Sequence, residues 1–188
     1  MSLKDILFES SSDIKGDIGE VLVADALRSQ CNMTVIRNVY LEVDGKKTEI
    51  DIIGISPVGI FVVEVKNYKG IISGDLQDTY WNVQYPNGNR YSLYNPVIQN
   101  SLHVNAVRNL LNNESENTIH NVVIFCDGAN LKGLRSCTNV FLLSDFIKKS
   151  KESRGICTDV AGLSDLFRAY ADGSYIAKLS HKIELGRF

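Results

Sequence analysis

The chain has 188 residues, 44% of them hydrophobic, and a net charge of −2. That is enough apolar material for one domain with a substantial core, and the near-neutral balance excludes the broad basic field of a chain that holds nucleic acid by bulk electrostatics. The charge is unevenly spread, with −6 over residues 1–130 and +4 over residues 131–188. Ile6-Leu7-Phe8 is too short for the core of a signal peptide, and no apolar run approaches the length of a membrane span, so a cytoplasmic protein is expected. Cys31, Cys126, Cys137 and Cys157 form no Cys-x-x-Cys pair and no histidine cluster, which argues for reduced thiols rather than a zinc site or a disulfide framework.

In chain order, the first predicted element is a helix from Asp13 to about Gln30, capped by Asp13 or a neighbouring serine. Its apolar residues, including Ile18, Val21, Leu22, Val23 and Leu27, cover so wide an arc that a packed helix is expected. At 100° per residue Glu20 falls on the stripe of Gly16, Val23, Ala24 and Leu27, a carboxylate among small and apolar neighbours. Gly16 and Gly19 each weaken a helix by up to about 1 kcal/mol relative to alanine, which makes sense where the helix presses closely on a sheet. Three strands follow as a meander: Thr34 to Val43, turned by Asp44-Gly45, then Thr48 to Ile55, then Gly59 to Asn67. Short strands at Ile71–Ser73, Tyr80–Gln84 and Arg90–Leu93, the last two joined by Asn87-Gly88, are expected to extend the edge of that sheet.

Asn95-Pro96 announces a helix running to about Leu111, with asparagine as cap and proline at the first position, where no donor is needed. Gln99 shares its inner stripe with Leu102, His103, Ala106 and Leu110, and His103 reads as a core or boundary histidine. Thr118 to Cys126 is a continuous apolar strand, reached after a helix and therefore parallel to a preceding strand. A strand near Val140–Leu143, a helix from Ser144 and a last helix over Asp159 to Tyr170 complete the chain. Lys148, Lys149, Lys151 and Arg154 cluster near one helix end, where a solvated face is the plainer reading than a phosphate contact. The fold class is α/β, a mixed sheet flanked by helices in a single domain over 1–188, with 127–188 completing it.

The chemistry concentrates on the hairpin around Ser56-Pro57-Val58-Gly59. A loop centred on Pro57 and Val58 pairs Ile55 with Ile60, and walking back pairs Asp51 with Glu64 and Glu49 with Lys66. Opposed Cβ atoms lie about 4.5–5.5 Å apart, so two carboxylates would share one spot, a repulsion that a divalent cation would offset. A three-residue loop or a bulge would instead send them to opposite faces. Hard oxygen ligands in pairs suit Mg²⁺ or Mn²⁺, and Lys66 beside them is placed to hold an attacking water or to stabilise charge growing on a phosphate. Phosphodiester hydrolysis fits this set. A glycosidase using the same acid pair would leave Lys66 without a role. Trp81, Tyr80, Tyr85, Tyr91 and Tyr94 read as packing of the short hairpin ahead of base stacking.

Taken together, Gly16-Asp17-Ile18-Gly19-Glu20, Glu49-Ile50-Asp51, Glu64-Val65-Lys66-Asn67-Tyr68-Lys69-Gly70-Ile71-Ile72-Ser73-Gly74, Trp81 and Asn95-Pro96-Val97-Ile98-Gln99 resemble, in order, the motifs of the nuclease-related domain, NERD. That domain is a branch of the restriction-endonuclease-like PD-(D/E)xK nucleases. The likeness covers about residues 12–126; Ile50 stands where a proline precedes the aspartate in the superfamily pattern, and residues beyond about 130 match nothing nameable. The resemblance implies a restriction-endonuclease-like sheet, a Mg²⁺ or Mn²⁺ cofactor and a nucleic-acid partner, with DNA as the expected substrate. It also implies that Asp51, Glu64 and Lys66 carry the active site, with Glu20 as an additional metal-binding carboxylate and Gln99 as an accessory polar contact. The alternative is a catalytically silent module on the same fold that binds nucleic acid or protein.

Overall fold

A computed structural model describes residues 3–43, 45–112, 119–152 and 159–171, with side chains from residue 16 onward. Helix α1 (Leu3–Cys31) is followed by β1 (Thr34–Val43), β2 (Lys46–Ser56) and β3 (Gly59–Lys66). Next come β4 (Gly70–Asp75), β5 (Tyr80–Gln84), β6 (Arg90–Tyr94) and α2 (Pro96–Leu110). The chain continues through β7 (Ile119–Phe125), β8 (Ala129–Arg135), β9 (Val140–Leu142), α3 (Leu143–Glu152) and α4 (Val160–Arg168). Asp44, Thr118, Arg154 and Cys157 lie outside the described residues.

The strands form two mixed sheets rather than one extended sheet. The larger has the order β1-β2-β3-β7-β9, antiparallel from β1 to β3 and parallel from β3 to β9. The smaller has the order β6-β5-β4-β8. The expectation that β4 to β6 prolong the meander's edge is therefore corrected. Both sides of β3 are already taken, by β2 and β7, and β4 instead pairs in parallel with β8. Strand β8 was not anticipated, because Ala129-Asn130-Leu131-Lys132-Gly133 carries a glycine and little β-branched content.

Alternation along β3 places the cores. Val63 and Val65 join Val23, Ala24 and Leu27 of α1, whereas Val62 joins Val104, Ala106 and Val107 of α2. Helix α1 docks by one stripe: Gly19, Val23, Ala24 and Leu27 are buried, while Ile18, Val21 and Leu22 are 51%, 43% and 56% exposed. The wide apolar arc thus does not mean all-round burial, since a helix lying on one sheet covers only the face it turns inward. The helix also reaches back to Leu3, so Asp13 is not its cap; no glycine or proline interrupts the stretch before it.

Helix α2 begins as its sequence indicates, with Asn95 Oδ1 accepting from Val97 N–H at 2.9 Å. The same amide donates to Leu76 O and Asp78 O at 3.1 and 2.7 Å, which ties the helix start to the smaller sheet. One turn on, the fully buried Asn100 donates to Val62 O and Val122 O at 2.8 and 3.1 Å, clamping α2 across β3 and β7. In the smaller sheet a Cβ on Gly74 would fall within the indole ring of Trp81, so only glycine lets that fully buried ring lie against the strand.

Candidate active site

The β2–β3 turn sets the register of the site. Ser56 pairs with Gly59, Ile55 with Ile60 and Ile52 with Val63, with Pro57 and Val58 as the two-residue loop. The next pair in this register is Asp51 with Glu64, but the ladder stops before it. At that point Val65 N–H donates instead to Asp51 Oδ2 at 2.8 Å.

A local break on the other neighbour of β2 frees the same residue. Arg37 pairs with Ile52 and Val39 with Ile50, while Asn38, between them, has a φ of 54°. Ile36 and Val39 both join the α2-side core across this residue, as do Ile50 and Ile53 across Asp51. Ile52 turns to the α1 side. Asp51 therefore sits where the alternation of β2 is interrupted, half-buried and released from a regular ladder on either side.

The end of the β2–β3 ladder also corrects the expected pairing of Glu49 with Lys66. Glu49 pairs with Tyr40 on β1, and its Oε1 accepts from the Asn38 amide at 3.1 Å and the Tyr40 hydroxyl at 2.8 Å. Lys66 turns to Glu64 Oε1 at 2.6 Å and to Gln99 Oε1 at 3.3 Å. Glu64 is 2% exposed, and its second oxygen lies 3.2 Å from His103 Nε2. On α1, Glu20 Oε2 meets Arg37 Nη2 at 2.9 Å. Gly19 explains how α1 comes so near: an added Cβ would sit 3.0 Å from Asn67 Cβ and 3.2 Å from Cys126 Sγ. Gly16 has nothing within 4 Å, so close approach accounts for only one of the two glycines.

The ionisation balance follows from burial and spacing. Burial, then the charges of Glu64 and Glu20, hold Asp51 well above the ordinary aspartate range, against the pull of Lys66 and Val65 N–H. Burial likewise raises Glu20 by more than Arg37 lowers it. Burial would raise Glu64 too, but Lys66 and His103 outweigh it and leave the acid below its usual value. Burial would lower Lys66, yet Glu64 and Asp51 keep its ammonium above the usual range. Three carboxyls thus face two cations, Lys66 and Arg37, and of the three Asp51 is the one raised well above its ordinary range.

The donor set fits a hard divalent ion. Its candidate ligands are carboxylate oxygens, an ion would offset the repulsion that raises Asp51, and the buried Glu64 Oε2, 3.2 Å from His103 Nε2, has no hydrogen-bond partner. Among the described residues, however, no three His, Cys, Asp or Glu side chains are gathered into a ready-made cage. Glu20 is near enough to act on Asp51 but is tied to Arg37.

Of the residues singled out in the sequence, Asp51, Glu64, Lys66 and Gln99 come together at the end of β3, with Glu20 beside them. Two partners were missed. Arg37 had a faint signal, a charge within the apolar run Val35-Ile36-Arg37. His103 had a better one, lying four residues after Gln99 and so on the same face of α2. Within the basic cluster, Lys148 lies 3.5 Å from Asp145, and Lys149 sits over the Phe141 ring at 4.8 Å. Cys31, Cys126 and Cys137 are free thiols. No helix among the described residues is long and apolar enough to cross a membrane.

A mixed α/β sheet with a buried acid pair and a lysine at one strand end is the class of structure these elements define. The chain belongs to the nuclease-related domain family, whose pattern matches residues 15–126. It is also 37% identical over 100 residues to an uncharacterised protein of Bacillus anthracis, a stretch covering 52% of this chain and 47% of that protein. This chain thus spans about half the length of that relative. No solved structure matches it.

Proposed function

We propose that this chain is a Mg²⁺- or Mn²⁺-dependent nuclease that hydrolyses phosphodiester bonds in DNA. The observation that carries the reading is the meeting of Asp51 and Glu64 just past the end of the β2–β3 ladder, where the charge of Glu64 raises Asp51 and Lys66 lies 2.6 Å from Glu64. Membership of the nuclease-related family supports the same reaction class.

Asp51 and Glu64 would hold the ion, with Glu20 as a further carboxylate. When bound, such an ion supplies Lewis-acid polarisation of a phosphoryl oxygen and makes water more acidic. Lys66 keeps its proton because two acids face it, so its role is electrostatic: it orients a water by hydrogen bonding and offsets charge developing on the phosphate. Gln99 aims that ammonium by accepting from Nζ. Glu64 stays ionised under the same influence and is available as a ligand without first losing a proton. Asp51 has a raised affinity for protons, so an ion bound there would compete with protonation of that carboxyl.

The test is incubation of the purified protein with plasmid and linear DNA in Mg²⁺, Mn²⁺ or chelator. The expected outcome is metal-dependent cleavage that falls by two or more orders of magnitude in Asp51→Ala. No cleavage with any metal, or cleavage unchanged in that variant, would defeat the proposal.

A second reading is a catalytically silent module that binds nucleic acid or protein. The ion pair between Glu20 and Arg37 favours it, because it occupies one of the three acids with an internal cation. Retention of DNA in a gel without cleavage, unaffected by Asp51→Asn, would mark that outcome.

A further inference from the structure

The buried acid of the site has a neighbour on α2 with no part in the roles just given. His103 is 6% exposed, and its Nε2 stands 3.2 Å from Glu64 Oε2. The two atoms are within ion-pair distance, yet neither has another hydrogen-bond partner. On the far side of the ring Nδ1 lies 2.9 Å from Thr48 Oγ1. We infer that His103 is a positioning residue for Glu64, fixed in tautomer and orientation by Thr48, and that it determines which edge of the carboxylate is offered to an ion.

The chemistry of the contact admits few alternatives. A threonine hydroxyl can donate to Nδ1, which leaves the imidazole proton on Nε2, facing the carboxylate. The opposite neutral tautomer would set the Nε2 lone pair against a buried carboxylate oxygen, the arrangement that a low-dielectric site penalises most. Glu64 is then held from two directions on one face of α2: Gln99 acts on Oε1 through Lys66, and His103 acts on Oε2. The spacing of four residues between Gln99 and His103 brings both supports to one face. At 3.2 Å the two atoms stand at the upper edge of hydrogen-bond distance, and an Nε2–H would have the carboxylate as its acceptor. Partners of this kind behind a ligand change metal affinity by about 10–100-fold when removed.

The inference rests on the metal reading above, and its test separates the two. Nitrogen-15 NMR of the metal-free protein should find a proton on Nε2 of His103; a proton on Nδ1 alone overturns the inference whatever the metal does. Calorimetric titration with Mn²⁺ then compares three variants. A glutamine amide nitrogen falls near the Nε2 position and an asparagine amide near Nδ1. His103→Gln should therefore bind Mn²⁺ within about 3-fold of wild type, while His103→Asn and Thr48→Val lose about 10-fold or more. A residue that merely fills the core would lower the melting temperature alike in Gln and Asn variants and leave Mn²⁺ affinity unchanged, which overturns the inference. Should His103→Asn not fold, Thr48→Val, which alters only the partner of Nδ1, makes the same comparison. Wild-type protein that takes up no Mn²⁺ defeats the metal reading instead, and the tautomer still decides whether His103 holds Glu64.

Discussion

Burial and the charge of Glu64 hold Asp51 well above the ordinary aspartate range, and its position implies a conflict between stability and function. Its folded-state pKa is raised, so between 3.8, the ordinary value, and that raised value the folded protein keeps a proton that the unfolded chain has lost. Stability therefore falls as pH rises through this window and stays lower above it. Asp51→Asn removes that fall while retaining an acceptor for Val65 N–H, so the metal-free variant should melt a few degrees above wild type near pH 7 and at the same temperature near pH 4. Differential scanning calorimetry at the two pH values checks this.

The Glu64–Lys66 pair differs from Asp51 in that the fold favours its charged forms. Glu64 is lowered, so its contribution is present above the ordinary 4.5 and is lost as pH falls through its folded value; Lys66 is raised, and its contribution lasts until pH climbs through its own. Lys66→Met strands a carboxylate that is 2% exposed, which should cost about 3–5 kcal/mol at neutral pH and less in acid, as urea denaturation at both pH values would report.

The approach of α1 to the sheet gives a paired test at the level of elements. Gly16→Ala meets nothing within 4 Å and should stabilise the protein by about 0.4–1 kcal/mol through helix propensity alone. Gly19→Ala gains the same propensity but presses on Asn67 and Cys126, so it should destabilise by about 1–3 kcal/mol and move Glu20 away from Asp51. Equal effects of the two in denaturant titration would mean that the helix does not rely on close contact there.

Such element-level features differ in how legible they are in the sequence. The Pro57-Val58 turn and the Asn95-Pro96 helix start were readable, because turn and cap chemistry is local and the residues that decide it are adjacent. Asp51, Glu64 and Lys66 followed by counting from that turn, and Gln99 by helical period. The break at Asn38 was not readable, because a non-glycine residue with positive φ leaves no mark on the pattern Val35-Ile36-Arg37-Asn38-Val39, and the count from the Pro57 turn misplaced Glu49 because it ran past the end of the β2–β3 ladder at Ile52 and Val63. Nor was the second sheet, because the choice of β4 between β3's edge and β8 is settled by which edges are already occupied.

At the scale of the whole molecule, the site draws on the larger sheet and the two helices α1 and α2. Glu20 comes from α1, Asp51 from β2, Glu64 and Lys66 from β3, and Gln99 and His103 from α2, whose start is pinned to the smaller sheet by Asn95. An ion that draws on several elements should stabilise the fold as a unit. At about 100 times its dissociation constant it adds roughly 2.7 kcal/mol, and each kcal/mol is worth about 2–4 °C in Tm for a chain of this size. The most direct measurement is therefore calorimetric titration of the purified protein with Mn²⁺, run beside Asp51→Asn and Glu64→Gln. Saturable binding in wild type that is lost or weakened at least about 100-fold in both variants, and that weakens as pH is lowered and protons compete for Asp51, is the predicted result. Wild-type binding that either variant leaves unchanged would contradict the shared site.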